Sequence, residues 1–303
     1  MFRDLYDFCR SLDLKKVNQR TLEILIGAGA LDQMGVHRAA LMANLANAIS
    51  LSGQESRNRT AGQDDMFGSS DELELDIDWI DVPEYSEDER LTKEKKHLGL
   101  YLTGHPMNQY HKELSNFISC SLSEVESAEG KQVTIAGLII AMRTRNTRRG
   151  RMAILTLDDQ SGWLEIPIYS ELYETNKQLL QEDRLVIISG KAGFDDYTGG
   201  TRVTAERIHD MDSARETFAT DLRITLKKNT DVVVEALKSI LQPVSGGTTP
   251  VIIDFINDEA RASIHLPRDW CVHPSARLLE ELNKVGGISR AVCEYSAAAA
   301  RMH

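Results

Sequence analysis

The sequence predicts an α+β chain with several domains, in which helices come first, a five-stranded β-barrel follows and a small α+β domain ends the chain. Three observations support this fold class. The chain has 303 residues, which is more than one small domain needs. Apolar residues repeat at helical spacing in the first part of the chain. From Lys131 onward the apolar residues alternate instead, which is the spacing of β-strands.

Composition and charge exclude several classes of protein. The 46 acidic residues outnumber the 35 basic ones, and the formal net charge of −11 excludes a uniformly basic nucleic-acid binder, although a local basic patch can still act at physiological salt. No apolar run approaches the roughly 18–20 residues of a membrane span, and the N-terminus lacks the apolar core of a signal peptide. Four scattered cysteines without a CxxC pair argue against a structural zinc site. We therefore expect a cytoplasmic protein.

The first region, residues 1–62, is predicted to be helical. A helix over 15–26 has apolar residues on one face and Asn18 as its N-cap, and a second helix is predicted over 37–49. The polar run 50–62 has too few apolar residues to bury, so it is predicted to be a linker.

The second region, residues 63–128, begins with an acidic segment. Between residues 64 and 94 there are thirteen acidic residues and two basic ones, and charge repulsion favours an extended, solvated chain. Ser86 and Glu89 have the spacing of a capping box, which predicts the start of a helix that ends near Leu102.

The third region, residues 129–212, has the element order of an OB-fold, a partly open five-stranded barrel. Strands are predicted over 132–147, 151–159, 163–170, 184–194 and 201–208, with a helix over 171–183. Gly137 lies inside the first strand, and an interior glycine often marks a bulge or a bend.

The last region, residues 217–295, is predicted to be a small α+β domain. Strands are predicted over 221–226, 250–256, 260–266 and 289–295, and helices over 230–241 and 274–285.

The sequence Gln63-Asp64-Asp65-Met66-Phe67 has the layout of a short docking peptide. Gln63 can satisfy a polar edge, and Met66 and Phe67 can fill adjacent apolar pockets. Each buried apolar side chain contributes about 1.5–3 kcal/mol, so such a peptide binds weakly by itself and becomes useful through avidity. The alternative is that Met66 and Phe67 simply pack on the helices.

A basic cluster follows the first predicted strand of the barrel. Five arginines fall within nine residues: Arg143, Arg145, Arg148, Arg149 and Arg151. The loop between the first two strands of an OB-fold borders its oligonucleotide-binding face, and alternate residues of a strand share one face. Charge and stacking surfaces could be added by Lys191, Phe194, Tyr197 and Arg202. The alternative is a solvated, mobile basic hairpin.

No catalytic site is predicted. Asp158 and Asp159 precede Gln160-Ser161-Gly162, where aspartate is an ordinary turn residue, so neither a metal site nor a metal-dependent nuclease is favoured. The chain contains no GxxxxGK[ST] loop, no GxGxxG motif after a strand and no GxSxG elbow. We predict no catalytic residues, no metal ligands and no cofactor.

The strings VNQRTLEILIGAGALDQMGVHRAALM, QDDMFG, HLGLYLTGHPMNQY, LTLDDQSGWLEI and SGKAGFDDYTGG resemble the C-terminal third of bacterial DNA polymerase III alpha subunits. The resemblance covers nearly the whole chain. It implies that Gln63, Met66 and Phe67 bind the sliding clamp, that the barrel holds single-stranded template DNA, and that the last domain binds the tau subunit of the clamp loader.

The same resemblance implies that the polymerase active site lies outside this chain. The family's catalytic carboxylates, which use Mg²⁺, are in a palm domain upstream of Met1, so the chain by itself is expected to be inactive as a nucleotidyltransferase. Two other readings stay open. The chain could be an OB-fold module that binds RNA or tRNA and carries helical extensions, or it could be a scaffold without a nucleic-acid contact.

Overall fold

The computed structural model describes residues 2–13, 16–60, 79–148, 150–195, 199–227, 231–256 and 261–296. The chain divides into two compact units, Met1–Pro106 and Met107–His303. Within the described part of the chain, no helix combines the length and the apolar character that crossing a membrane requires. The predicted α+β, multi-domain class is confirmed, with a helical region, an OB-fold barrel and a C-terminal α+β domain.

The first unit is helical. Its helices are α1 (Leu5–Ser11), α2 (Gln19–Gly27), α3 (Arg38–Thr60) and α4 (Glu87–Leu98). Buried side chains from α1, α2 and α3 form its core, among them Leu5, Cys9, Leu22, Ile26, Leu41 and Leu45. The side chain of Asn18 caps α2 by accepting the amide of Thr21 at 2.9 Å, as the sequence predicts. Ser86 and Glu89 form the predicted capping box of α4.

Helix ends in this unit differ from the prediction, and α2 begins at Gln19 rather than at residue 15. The predicted linker 50–62 is wrong, because α3 continues to Thr60. A helix that has been nucleated adds one hydrogen bond per residue, so polar residues can extend it beyond the packed part, and the hydroxyl of Ser52 bonds back to the carbonyl oxygen of Ala48 at 2.7 Å. Helix α4 ends at Leu98, earlier than predicted, because Gly99 adopts a left-handed conformation (φ 77°) that stops the helix.

A buried arginine holds the turn between α2 and α3. Arg38 donates to both carboxylate oxygens of Asp32, at 2.8 and 2.6 Å, and to Glu94 at 2.8 Å. Glu94 is fully buried and also accepts the amides of Leu102 and Thr103, at 2.7 and 2.9 Å. Burial alone would raise the pKa of Glu94, but these hydrogen bonds lower it to about 2. The pair therefore joins the helical turn to the segment that follows α4.

The second unit begins with α5 (His111–Leu114) and a 3₁₀-helix (Leu122–Ala128), and continues into the barrel. The barrel consists of β1 (Gln132–Thr147), β2 (Gly150–Asp158), β3 (Trp163–Ile168), α6 (Ser170–Asn176), β4 (Leu185–Asp195) and β5 (Gly200–His209). The strand order is β3-β2-β1-β4-β5, and all neighbours are antiparallel. Every predicted strand is confirmed, and the inward rows form one apolar core that includes Ile135, Leu155, Ile166, Ile188 and Val203.

The irregularity in β1 does not fall at the glycine. The register of β1 against β2 shifts between Ile139 and Ala141, which indicates a β-bulge there. Gly137 is needed for a different reason: a Cβ atom at this position would lie 2.9 Å from the Cβ of Leu157, so only glycine lets the two strands approach this closely.

The C-terminal domain packs helices on a mixed sheet. Its elements are α7 (Met211–Phe218), β6 (Ala219–Leu226), α8 (Asp231–Leu241), β7 (Ser245–Thr249), β8 (Val251–Ile256), β9 (Arg261–His265), α9 (Ala276–Lys284) and β10 (Ile288–Tyr295). The sheet order is β10-β6-β8-β9, with β6 parallel to β8. The predicted pairing of β8 with β9 is confirmed. Helix α7 and strand β7 are absent from the elements predicted for this domain.

A second buried arginine ties this domain to the start of the unit. Arg215, on α7, donates from Nε and Nη2 to the two carboxylate oxygens of Glu113, each at 2.8 Å, and from Nη1 to Asp212 at 2.6 Å. The hydroxyl of Tyr295 donates to Glu113 at 2.5 Å. Burial alone would raise the pKa of Glu113, but these donors lower it. The network fixes α5, α7 and β10 together.

Candidate nucleic-acid interface

The arginines of the β1–β2 hairpin are divided between its two faces. Arg143 lies opposite Ile154 and Arg145 opposite Met152, so these two arginines share the outer face of the barrel, as their spacing predicts. Arg151 lies opposite Asn146, one residue along each strand from the pair of Arg145 and Met152, so its side chain is on the opposite face of the sheet. Its guanidinium lies 6.0 Å from the ring centroid of Tyr173, and it donates to the hydroxyl of Thr144 at 3.1 Å.

The tip of this hairpin is exposed. Arg148 stands in the turn between the two strands and is exposed, whereas Arg149 lies outside the described residues. Among the residues that the structure describes, Arg145 and Arg148 form no ion pair. Arg143 differs, because its guanidinium bonds to the carboxylate of Glu165 on β3. The outer face therefore carries one arginine that is already partly neutralised and one that is available to a ligand.

The outward row of β3 completes this face. Leu164, Ile166 and Ile168 point toward the core, so Trp163, Glu165 and Pro167 point outward, and Tyr169 continues the row beyond the end of the strand. The predicted site residues do not include Tyr169, the aromatic of this row that lies beside the arginine hairpin, whereas Trp163 lies at the far end of the strand, opposite Asp158. The alternation that placed the three aliphatic residues on one face could have revealed Tyr169, because it assigns the odd-numbered residues to the opposite face.

The remaining predicted residues surround a groove on β4 and β5. Lys191 lies opposite Thr204, and Arg202 lies opposite Gly193, so Lys191 and Arg202 share one face of this strand pair. The groove has a volume of about 440 Å³, and its lining also includes Phe194, Glu129 and Glu206. The two carboxylates offset the two basic groups, so this groove is less favourable for phosphates than the hairpin. Tyr197 lies outside the described residues.

Arg202 reaches the end of β3. Its Nη2 donates to the hydroxyl of Tyr169 at 2.5 Å. A Cβ atom on Gly150, the first residue of β2, would lie 3.0 Å from the Cβ of Ser170. The segment between β3 and α6 thus lies beside both the arginine hairpin and β5, and it brings residues together that are distant in the sequence.

Asp158 and Asp159 shape a turn. Asp159 accepts the amides of Ser161 and Gly162 at 2.9 and 3.2 Å, and its second oxygen accepts the amide of Leu122 at 2.8 Å. Asp158 accepts the amide of Gln160 at 2.7 Å. Within the described ranges, no group of three or more histidine, cysteine, aspartate or glutamate side chains is placed to hold a metal ion.

Comparison with known proteins gives three matching families and a set of close relatives. Residues 1–41 match a helix-hairpin-helix motif, residues 133–211 an OB-fold nucleic acid binding domain, and residues 236–287 the C-terminal domain of DNA polymerase III subunit alpha. DNA polymerase III subunit alpha of Vibrio cholerae is 41% identical over 97% of this chain, and that of Haemophilus influenzae is 38% identical over the same share. By sequence, the chain belongs to the DNA polymerase III subunit alpha family.

The match covers only part of those relatives. The chain spans 26% of the length of each of the two proteins, and it corresponds to the C-terminal region of the family. Among solved structures, asparaginyl-tRNA synthetase from Pyrococcus horikoshii is 22% identical and covers 31% of this chain and 23% of its own, with a TM-score of 0.26, which is too low to support an argument.

The predicted clamp-binding residues of this family, Gln63, Met66 and Phe67, lie outside the described residues. The nearest described residues downstream are attached to the helical unit. The side-chain amide of Asn44 forms two hydrogen bonds with the backbone of Ile80, each at 2.9 Å, and the ring of Trp79 packs edge-on against Tyr6 with centroids 6.3 Å apart. Trp79 and Ile80 are therefore attached to α1 and α3 of the helical unit.

Proposed function

We propose that this chain is the tethering and template-guiding part of a replicative DNA polymerase III alpha subunit that acts in the cytoplasm. It binds the sliding clamp through Gln63, Met66 and Phe67, the tau subunit of the clamp loader through its last domain, and single-stranded template DNA through the barrel. The polymerase chemistry and its Mg²⁺ belong to other parts of such a subunit, and we expect the chain by itself to need no cofactor.

The observation that carries the template proposal is the placement of exposed arginines on the barrel in a chain of net charge −11. Arg145 and Arg143 lie on the outer face of the sheet that contains β2 and β3, and Arg148 lies in the loop between β1 and β2. In OB-folds, this face and this loop bind oligonucleotides. Basic groups and exposed aromatic rings together suit a single strand, whose bases are free to stack.

The clamp proposal is supported by the sequence of the acidic segment and by family membership. A short peptide with two apolar anchors binds at about micromolar strength or worse. Joined to a barrel that holds DNA and to a domain that holds the clamp loader, the same peptide benefits from a high effective concentration. Weak individual contacts then add up to long residence on the DNA.

The template proposal can be tested by fluorescence anisotropy with a labelled 12-nucleotide oligo(dT) and the full chain. We expect Arg145→Gln with Arg148→Gln to weaken binding, and to reduce the log-log salt slope by about 1.4, because each lost phosphate contact removes about 0.7. Arg290→Gln is the matched control, since Arg290 is exposed on β10, away from the barrel. An unaltered salt slope would contradict the assignment.

The same titration separates the proposal from its alternatives. A clear preference for an RNA oligonucleotide or tRNA over oligo(dT) would favour an RNA-binding module, because the 2′-hydroxyl distinguishes the two nucleic acids. No binding to either strand at low salt would favour a scaffold without a nucleic-acid contact. Cleavage of labelled DNA that depends on magnesium or manganese would favour a nuclease.

The clamp proposal is tested by calorimetric titration of the full chain with purified sliding clamp. We expect Met66→Ala with Phe67→Ala to abolish measurable binding, because both anchors of the peptide are removed. Leu73→Ala with Leu75→Ala is the matched control, since it removes two apolar side chains from the same acidic segment but leaves the motif intact. Unchanged clamp affinity in the first variant would overturn the proposal.

A further inference from the structure

A row of side chains crosses the outer face of the barrel at the level where β3 ends. Arg145 lies opposite Met152, and β2 pairs with β3 through Ala153 and Ile168, so the next residue on each strand is Met152 and Tyr169. Ala153 and Ile168 are both fully buried in the core, which places Met152 and Tyr169 on the outside. Neighbouring strands are about 4.8 Å apart, so Arg145 and Tyr169 are separated by roughly 10 Å.

Tyr169 is held in this row by Arg202. The guanidinium of Arg202 donates to the hydroxyl of Tyr169 at 2.5 Å, while Tyr169 remains 45% exposed. The hydrogen bond engages the hydroxyl at the end of the ring, and nearly half of the residue's surface stays exposed to solvent. The ring therefore has a cation beside it on β5 and a second cation across β2.

We propose that Tyr169 is a base-stacking platform for the bound single strand, with Arg145 and Arg202 contacting phosphates on its two sides; this inference rests on the proposed template function. Every base has a flat aromatic surface, so a stacking platform holds a strand without selecting a sequence, which suits a protein that must accept any template. The hydrogen bond from Arg202 fixes the ring before the strand arrives, which reduces the entropy lost on binding.

The chain contains a matched control for this platform. Trp163 is also on the outward row of β3, and at 70% exposure it is more accessible than Tyr169. It lies at the other end of the strand, opposite Asp158, where carboxylates surround the turn. Exposure of an aromatic ring alone would favour Trp163, whereas flanking cations favour Tyr169.

The test measures binding of the full chain to two probes, a labelled 12-nucleotide oligo(dT) and a strand of the same length with abasic residues at its centre. We expect Tyr169→Leu to weaken oligo(dT) binding by about five- to 150-fold, which corresponds to the roughly 1–3 kcal/mol lost when one stacking partner is removed. The same variant leaves abasic-strand binding and the salt slope unchanged, because no phosphate contact is lost. Tyr169→Phe retains most of the affinity, and Trp163→Leu stays within about twofold of the parent chain.

Three results would overturn the inference while the template function stands. In the first, Tyr169→Leu binds oligo(dT) as tightly as the parent chain. In the second, Tyr169→Leu loses the same affinity for oligo(dT) and for the abasic strand. In the third, Tyr169→Phe and Tyr169→Leu lose the same affinity for oligo(dT). The last result would show that the hydroxyl acts, rather than the ring. If the parent chain binds neither strand at low salt, the template function fails and the inference fails with it. Thermal unfolding of each variant confirms that this surface substitution leaves the fold intact.

Discussion

The buried arginines and the hairpin arginines have opposite roles in the same chain. Arg38 and Arg215 are each only 3% exposed, and neighbouring carboxylates accept their hydrogen bonds. Arg145 and Arg148 are exposed and, in the described part of the chain, form no ion pair. The comparison shows that carboxylates already neutralise the buried arginines, whereas Arg145 and Arg148 keep their charge for the DNA contact proposed above. Arg143 is intermediate, because it is exposed but paired with Glu165.

The largest expected effect comes from breaking a buried network. Arg215→Met should lower the free energy of unfolding by about 3–5 kcal/mol, because it removes the buried guanidinium and leaves the half-buried Glu113 without its main partner. Urea unfolding followed by circular dichroism measures this loss. The double variant Arg215→Met with Glu113→Met should recover part of the stability, since neither charge then remains. A loss below about 1 kcal/mol in the single variant would show that the network is dispensable.

A somewhat smaller effect is expected from the network of Arg38 and Glu94, which makes the stability of the chain depend on pH. The pKa of Glu94 is about 2 in the folded chain, against an ordinary value of 4.5. The stabilisation from this carboxylate is complete above pH 4.5 and is lost as the pH falls toward 2. Since each pH unit corresponds to 1.36 kcal/mol, the loss is on the order of 3 kcal/mol.

Unfolding titrations between pH 5 and pH 2 should therefore show this loss in the parent chain. Glu94→Gln should be less stable at neutral pH and should have a flatter profile in this window. Glu87→Gln is the control, because Glu87 is an exposed carboxylate of the same helix and its loss should leave most of the pH dependence in place. Identical profiles for the parent chain and Glu94→Gln would contradict the assignment.

The smallest expected effect concerns Arg143, which is exposed but paired with Glu165. Glu165→Gln removes the carboxylate that pairs with Arg143, so the variant should bind oligo(dT) a few times more tightly and have a salt slope steeper by about 0.7. Its free energy of unfolding should change by less than about 1 kcal/mol, because the ion pair is exposed. Glu294→Gln removes one negative charge from β10 and is the control. An equal gain in both variants would mean that only net charge matters.

Local signals in the sequence predicted most of the fold. The caps at Asn18 and Ser86 and the alternating pattern of the barrel strands depend on residues close together in the chain, so they can be read directly. Strand β7 could not be predicted in this way, because SGGTT has neither alternation nor strong β propensity. It is defined instead by bridges from Ser245 and Thr249 to Val272, which is distant in the sequence. Helix α7 was not predicted, because it begins two residues after β5 ends and no loop sequence separates the two elements.

The candidate site was predictable only in part. The alternation of β1 placed Arg143 and Arg145 on one face, and the structure agrees. The neutralisation of Arg143 by Glu165, and the hydrogen bond from Arg202 to Tyr169, join residues 22 and 33 positions apart. Such contacts depend on the curvature of the barrel, which a strand pattern alone does not specify. The roles assigned to Lys191, Phe194 and Tyr197 stay predictions.

The hydrogen bond between Tyr295 and Glu113 spans 182 residues of the chain. A ribosome adds about 5–20 residues per second, so Glu113 emerges roughly 10–40 s before the hydroxyl that completes its surroundings. During that interval the barrel can form, because its strands are complete by His209. The hydrogen bonds of Glu113 are therefore complete only after the last strand has been made, and a nascent chain can contain a folded barrel before that point.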